Sequence, residues 1–366
     1  MATATTRPGE GARVARPDEG VSLDELKLAA RNHGMPLEAL HYDLTPQGLH
    51  YLLVHYDIPV IDPRSWRLLV TGAVDRPLEL DLAGLRERPA VTRTVTLECA
   101  GNGRARLRPR PVSQPWLDEA VGTAEWTGTP LAPLLQDAGV DPDAVAVSFA
   151  GHDHGTERGV EQDYVRALSL ADAQAPDVLV AYAMNGAPLP PQHGAPARLI
   201  VPGWYGMAHV KWLREIGVLS EPFTGFQNSV AYRLKEDADD PGDPVTRIRP
   251  KALVVPPGFP DFQTRRRIVD AGDVTLFGRA WSGHGAVTAV DVSTDDGHTW
   301  QPAELGPPIG EHAWRAWRLT WPAEPGEHEL LVRATDAADQ VQPVDQPWNR
   351  QGMANNMAQR VAVTVR

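Results

Sequence analysis

An α+β chain in two parts is what this sequence predicts, and three observations carry that expectation. Up to about residue 240, strand-like stretches alternate with brief helical patterns, the mark of a mixed α/β domain. From about Asp243 the helical patterns stop, and short, partly alternating stretches follow one another between turns, as in a β-sandwich of immunoglobulin type. Between the two, residues 237–257 are rich in Pro, Asp and Gly, the composition of a boundary. The expected organisation is an N-terminal tail and short helix over residues 1–35, a mixed α/β domain over 36–242 and a β-sandwich over 243–366.

In chain order, the first twenty residues hold no apolar run and no twin arginine, which reads as a disordered tail on a cytoplasmic protein. Ser22-Leu23-Asp24-Glu25 has capping-box spacing, so a helix starts there, with Gly34 as its stop. Leu49–Tyr56 and Trp66–Gly72 are apolar, the second alternating like a strand. Asp81 reads as the cap of a brief helix ending before Pro89. Thr129-Pro130 reads as a cap followed by proline, with Leu131, Leu134 and Leu135 on one face and Gly139 as the stop. Strands are expected near 94–99, 144–149, 178–183 and 198–201. In the last third they are expected at 274–281, 287–293, 314–321, 328–334 and 361–365, with a hairpin around Asp295-Asp296-Gly297. Trp300, Trp314, Trp317 and Trp321 are first of all core residues there.

A net charge of −12 argues against nucleic acid, and no stretch is long and apolar enough to span a bilayer. There is neither a G-x-G-x-x-G opening a helix nor a G-x-x-x-x-G-K loop, so a nicotinamide or nucleotide site of the usual sort is not expected. The single cysteine excludes an internal disulfide or a cysteine-held cluster. His152 and His154 share one face of an extended segment, but no third or fourth ligand is spaced nearby, which disfavours zinc.

That single cysteine, Cys99, ends an alternating stretch and is followed by Ala100-Gly101-Asn102-Gly103-Arg104. Glycines permit close approach to a ligand, and Arg104 puts a fixed charge beside the thiol, which favours thiolate and anion binding. A second basic stretch, His193 to Lys211, holds Arg198, Gly206 and His209 around a predicted strand. Arginine grips phosphate bidentately and glycine lets backbone amides approach. Alone, each is an ordinary structural or solvated residue.

The string ECAGNGR resembles the cysteine loop of the sulfite oxidase family of molybdenum enzymes. The likeness continues in order through HYLLVHYDIP (50–59), AYAMNGAPLPPQHGAPARLIVPGWYGMAHVKWLREI (181–216), GRAWSGHGAVTAVDVSTDDGHTW (278–300) and PWNRQGMANNMAQRVAV (347–363). The resemblance implies a molybdopterin-binding catalytic domain followed by a sandwich that makes the contact of a homodimer. It implies a molybdenum–molybdopterin cofactor with Cys99 as metal ligand and Arg104 at the substrate, and no heme or flavin domain in this chain. His55, Asn102, Asp153, His193, Arg198, Gly206 and Lys211 would hold the pterin. The activity implied is oxygen-atom transfer, by default sulfite to sulfate, with electrons passed to a separate carrier.

Three positions depart from the family's pattern. An arginine that helps bind the oxyanion falls at Leu53, a tyrosine bordering the metal aligns with Phe223, and a further arginine aligns with Ala286, or at best His284. Each lost guanidinium removes charge-assisted hydrogen bonds of roughly 1.5–3 kcal/mol. Two other readings therefore stay open: a reductase on the same scaffold acting on a sulfoxide, N-oxide or nitrate, and a non-catalytic cofactor-binding or interaction protein.

Overall fold

The computed structural model describes residues 13–366. Ten strands come first: β1 (Leu68–Gly72), β2 (Leu78–Leu80), β3 (Val91–Glu98), β4 (Val121–Pro130), β5 (Ala146–Glu157), β6 (Val160–Ser169), β7 (Leu179–Met184), β8 (Ala187–Pro188), β9 (Arg198–Ile200) and β10 (Leu213–Leu219). They make two sheets, ordered β2-β1-β10-β5-β6 and β3-β4-β7-β8, with β9 also paired to β7. Only β1 and β10 run parallel there; the rest is antiparallel. A short ladder, β11 (Arg233–Leu234) with β12 (Asp243–Pro244), follows.

Two more sheets close the chain, built from β13 (Lys251–Val254), β14 (Phe259–Pro260), β15 (Arg267–Val269), β16 (Gly272–Trp281), β17 (Val287–Ser293), β18 (Gln301–Pro302), β19 (Glu304–Leu305), β20 (Arg315–Ala323), β21 (Gly326–Asp336) and β22 (Gln359–Val365). Their orders are β13-β16-β20-β19 and β14-β15-β22-β21-β17-β18. Leu276, Val290, Trp317, Trp321, Leu330 and Val363 pack between them, giving the expected β-sandwich. The hairpin joins β17 to β18, with Asp296 and Gly297 both at positive φ. Trp317 and Trp321 are core as expected, whereas Trp314 joins the cluster of the first part. No helix among the described residues is long and apolar enough to cross a membrane.

The capping box is present: Ser22 and Glu25 bond each other's backbone amides at the start of α1 (Leu23–Arg31). The helix ends earlier than Gly34 because Asn32 takes over, its Nδ2 donating to Leu28 O and its Oδ1 accepting from Val54 N at 2.7 Å. Asp81 caps α2 (Leu82–Glu87) as expected. Thr129 does not cap α3 (Leu131–Ala138); its hydroxyl donates to Leu85 O, and the helix starts after Pro130 without a side-chain cap. Gly139 does stop it, in the left-handed conformation.

Two further expectations are overturned. Residues 1–12 of the expected tail lie outside the described residues, but residues 13–20 pack against the segment at 110–112, with Ala15 buried and bonded to Arg110 O. Arg110 reaches back to Glu25 and to the carbonyls of Glu19 and Gly20, which fixes that segment. The strand expected to be half-buried, β3, is buried on both faces at its end, because the sandwich covers the second face. Trp314 N donates to Thr96 Oγ1 at 2.7 Å, and Trp281 Nε1 to Glu98 Oε2 at 2.8 Å.

Glu98 and Lys251, each 1% exposed, form an ion pair at 3.3 Å that ties β3 to β13 directly beneath Cys99. Removing one partner of a buried pair strands the other charge. Lys251→Met is expected to lower unfolding free energy by about 3–5 kcal/mol, and the double variant with Glu98→Gln to recover most of it, both read by urea denaturation. Equal losses in the single and double variants would show that the pair is not coupled.

Candidate active site

Cys99 follows β3, its amide bonded to Ala120 O, and Asn102 N returns to Cys99 O to make a tight turn. Gly101 has no room for a side chain: a Cβ there would lie 2.6 Å from the Arg104 guanidinium, which folds back over the loop. Arg104 donates from Nε to Gln351 O and from Nη1 to Ser113 Oγ, which fixes its orientation. The expectation that Arg104 makes the free thiol a thiolate is not met. Burial pushes the Cys99 thiol up, and the attraction of Arg104 only partly offsets it.

Asn102 does not face the site as expected. Its Nδ2 donates to Glu98 Oε1 and Asp118 O, and its Oδ1 accepts from Ala120 N, so it latches the loop from behind. The amide bonds three buried groups, one of which, Glu98 Oε1, is also paired with Lys251.

Two adjoining cavities meet at Cys99, Leu53, His55 and Tyr232. The inner one, about 630 Å³ including space open to solvent, gathers His55, Asp153, His193, Arg198, Gly206 and Lys211 around the cysteine. Arg198 is buried over the Trp126 ring, bonded only to the carbonyls of His193 and His209. Lys211 donates to Leu53 O and Gln192 O, and burial first, then the charge of Arg198, lowers its pKa to about 7. Asp153 is raised to about 6, chiefly by burial. Gly206 is a close-packing requirement as well as a lining residue, since a Cβ would meet Tyr51 Oη at 2.6 Å.

The outer cavity, about 1620 Å³ including space open to solvent, brings Arg104, Arg158, Lys235 and Arg350 together with Leu53 and Trp116. Phe223, Ala286 and His284 line neither cavity; Ala286 and His284 are exposed and Phe223 sits over Gly225. A hydroxyl does line both cavities: that of Tyr232, which bonds His55 Nε2 at 2.7 Å. Of the three departures, only Leu53 borders Cys99.

Five residues of the site, Lys235 among them, escaped the sequence reading. Tyr232 and Arg158 carry no local signal, His50 was hidden in an apolar stretch, and Arg350 in the last motif was not singled out. His50 is 1% exposed, with Nε2 aimed at no protein partner. His152 and His154 stand apart on the surface, and no metal-holding cluster of three His, Cys, Asp or Glu occurs among the described residues.

This inner cavity fits a large anionic, hydrogen-bonding group. His50 Nε2, Asp153 Oδ1 and Arg198 Nε are buried without partners, and Arg198 has no carboxylate within reach. Buried charges without counter-charges are costly unless a ligand supplies them. A pterin with its phosphate offers both anion and polar ring edges, and the thiol offers a soft metal ligand.

Burial also holds four imidazoles neutral, lowering His50 and His55 to about 4, His209 to about 3 and His193 to about 2 from 6.5. The unfolded chain protonates these groups below pH 6.5 and the fold does not, so unfolding takes up protons there and stability rises with pH. Cofactor-free protein is therefore expected to lose stability as pH falls from 6.5 towards 4, by up to about 1.4 kcal/mol per pH unit for each histidine. His50→Gln is expected to flatten that slope in urea titrations, and an unchanged slope would contradict the assignment.

Models of two families match the chain: the oxidoreductase molybdopterin binding domain at residues 55–227 and the Mo-co oxidoreductase dimerisation domain at residues 260–366. Sulfite oxidase of Gallus gallus is 38% identical over 343 residues, covering 85% of this chain and 71% of that protein. Mitochondrial sulfite oxidase of Homo sapiens is 37% identical, covering 88% of this chain, which spans 62% of that protein's length. A nitrate reductase [NADH] of Ulva prolifera is 32% identical over 86% of this chain, though only 39% of its own length is matched. Among solved structures, the sulfane dehydrogenase SoxCD from Paracoccus pantotrophus superposes with a TM-score of 0.79 at 27% identity, covering 91% of this chain and 86% of that one.

Proposed function

This chain belongs to the sulfite oxidase family of molybdopterin-dependent oxidoreductases, and from that premise we propose that it oxidises a small sulfur oxyanion, sulfite being the default, at a molybdenum bound through Cys99 Sγ. The observation that carries the reading is Arg198, a buried guanidinium without a counter-charge in a cavity that opens onto the chain's single thiol. Arg198 and Lys211 would hold the phosphate tail, while His55, His193, His50 and Asp153 would meet the polar edges of the pterin. When bound, the molybdenum–pterin group supplies oxygen-atom transfer and accepts two electrons.

The protein's own residues supply orientation and protons. Arg104, fixed by Gln351 O and Ser113 Oγ, would offer its Nη2 donors to an anion beside Cys99. Tyr232 and His55 share a hydrogen bond at the junction of the cavities, and both are neutral at pH 7: burial raises the phenol well above 10 and lowers the imidazole to about 4. That pair can pass a proton released from water out of the buried site. The two electrons would then pass one at a time to a one-electron acceptor. The sandwich, matched by the dimerisation model, would pair two copies.

The nitrate reductases among the relatives favour a second reading, reduction of nitrate or an S- or N-oxide in the same site. Steady-state assays separate the two. Molybdenum-loaded enzyme with sulfite is expected to reduce ferricyanide; failure there, with oxidation of a reduced dye by nitrate or dimethyl sulfoxide, would transfer the assignment to the reductase. Absence of molybdenum from purified protein would sink both.

A further inference from the structure

Inorganic sulfite does not explain the outer cavity. Its volume, about 1620 Å³ including space open to solvent, exceeds what so small an anion fills. Its wall is divided by chemistry. Beside Cys99 the side chain is Leu53, packed on the cluster that holds Tyr51, Cys99 and Trp116, and the apolar surface continues outward through Leu28, Val54 and Met353. Facing it are Arg104, Arg158 and Lys235, none of which forms an ion pair among the described residues; the one carboxylate in the lining, Glu157, accepts from Gln227 Nε2, so positive charge is in excess. Arg158 sits at the β5–β6 turn with a positive φ of 50° and lines the cavity, its guanidinium 5.9 Å from the centre of the Phe226 ring.

A neutral S-oxide would leave those cations unmatched, and a compact dianion would leave the apolar wall wet. The arrangement suits a monoanion carrying an apolar body. We propose that the substrate class of this site is an organic sulfinate, oxidised to the sulfonate; this rests on the oxidase reading above. The reaction forms one sulfur–oxygen bond, with the oxygen drawn from water: sulfinate and water yield sulfonate, two protons and two electrons. The sulfur lone pair supplies the electrons, which pass one at a time to two equivalents of a one-electron acceptor. Leu53 takes the organic substituent, and Arg104 the sulfinate oxygens.

The product is a stable probe, so binding can be read apart from turnover. With molybdenum-loaded enzyme, calorimetry is expected to give benzenesulfonate a dissociation constant at least about tenfold below that of sulfate, the effect of a filled apolar pocket. Leu53→Arg is expected to reverse that order. With ferricyanide as acceptor, kcat/KM for benzenesulfinate should exceed that for sulfite. Sulfate binding as tightly as benzenesulfonate, or sulfite turned over at least as efficiently, would overturn the proposal while leaving the oxidase assignment standing. If neither sulfur anion reduces ferricyanide, the oxidase reading fails, and calorimetry still decides whether the cavity prefers an organic anion.

Discussion

Replacing Cys99 by serine is expected to abolish turnover with the fold intact. Loss of a residue that merely supports a metal ligand costs roughly 10–100-fold, so loss of the ligand itself should exceed that. Serine nearly matches cysteine in size, and the bonds that shape the loop, Cys99 N to Ala120 O and Asn102 N to Cys99 O, are made by backbone. The thermal transition should therefore shift little, while activity falls below about 1% of wild type. Activity near the wild-type level in folded Cys99→Ser protein would refute the ligand role.

The second large effect is expected at Arg198. Its Nη1 and Nη2 donate to carbonyls, its Nε has no partner, and no carboxylate balances its charge. A side chain kept for stability alone would be a poor choice here, because an uncompensated buried charge opposes folding. Arg198→Ala is expected to lower pterin retention by about 10–100-fold, the value of one charge-assisted hydrogen bond of roughly 1.5–3 kcal/mol. Cofactor-free Arg198→Ala protein should melt close to cofactor-free wild type. Arg198→Lys keeps the charge but not the two-pronged geometry, and should recover only part of the retention. A variant that melts much earlier yet purifies with full pterin content would make Arg198 structural.

How much of this was legible in the sequence depended on distance along the chain. Cys99 and Arg104 share one loop, and His193, Arg198, Gly206 and Lys211 share one segment, so local strings carried them. Tyr232 was missed because the resemblance pointed to Phe223, on the other side of a π-helical turn, Gln227–Ala231. Asn102 was assigned to the pterin by resemblance, but the turn itself needed its amide. Alternation placed Glu98 on an open face, and only the later sandwich, through Trp281 and Lys251, turns that face into interior. Arg158 and Lys235 reach the cavity from a hairpin tip and a short ladder, places where sequence patterns say nothing about direction.

X-ray absorption at the molybdenum edge of the purified, loaded protein tests the central claim most directly. Wild type should show one more sulfur neighbour than the Cys99→Ser variant prepared with the same cofactor content. An identical sulfur count in the two, or a wild-type protein that binds no molybdenum at all, would contradict the account.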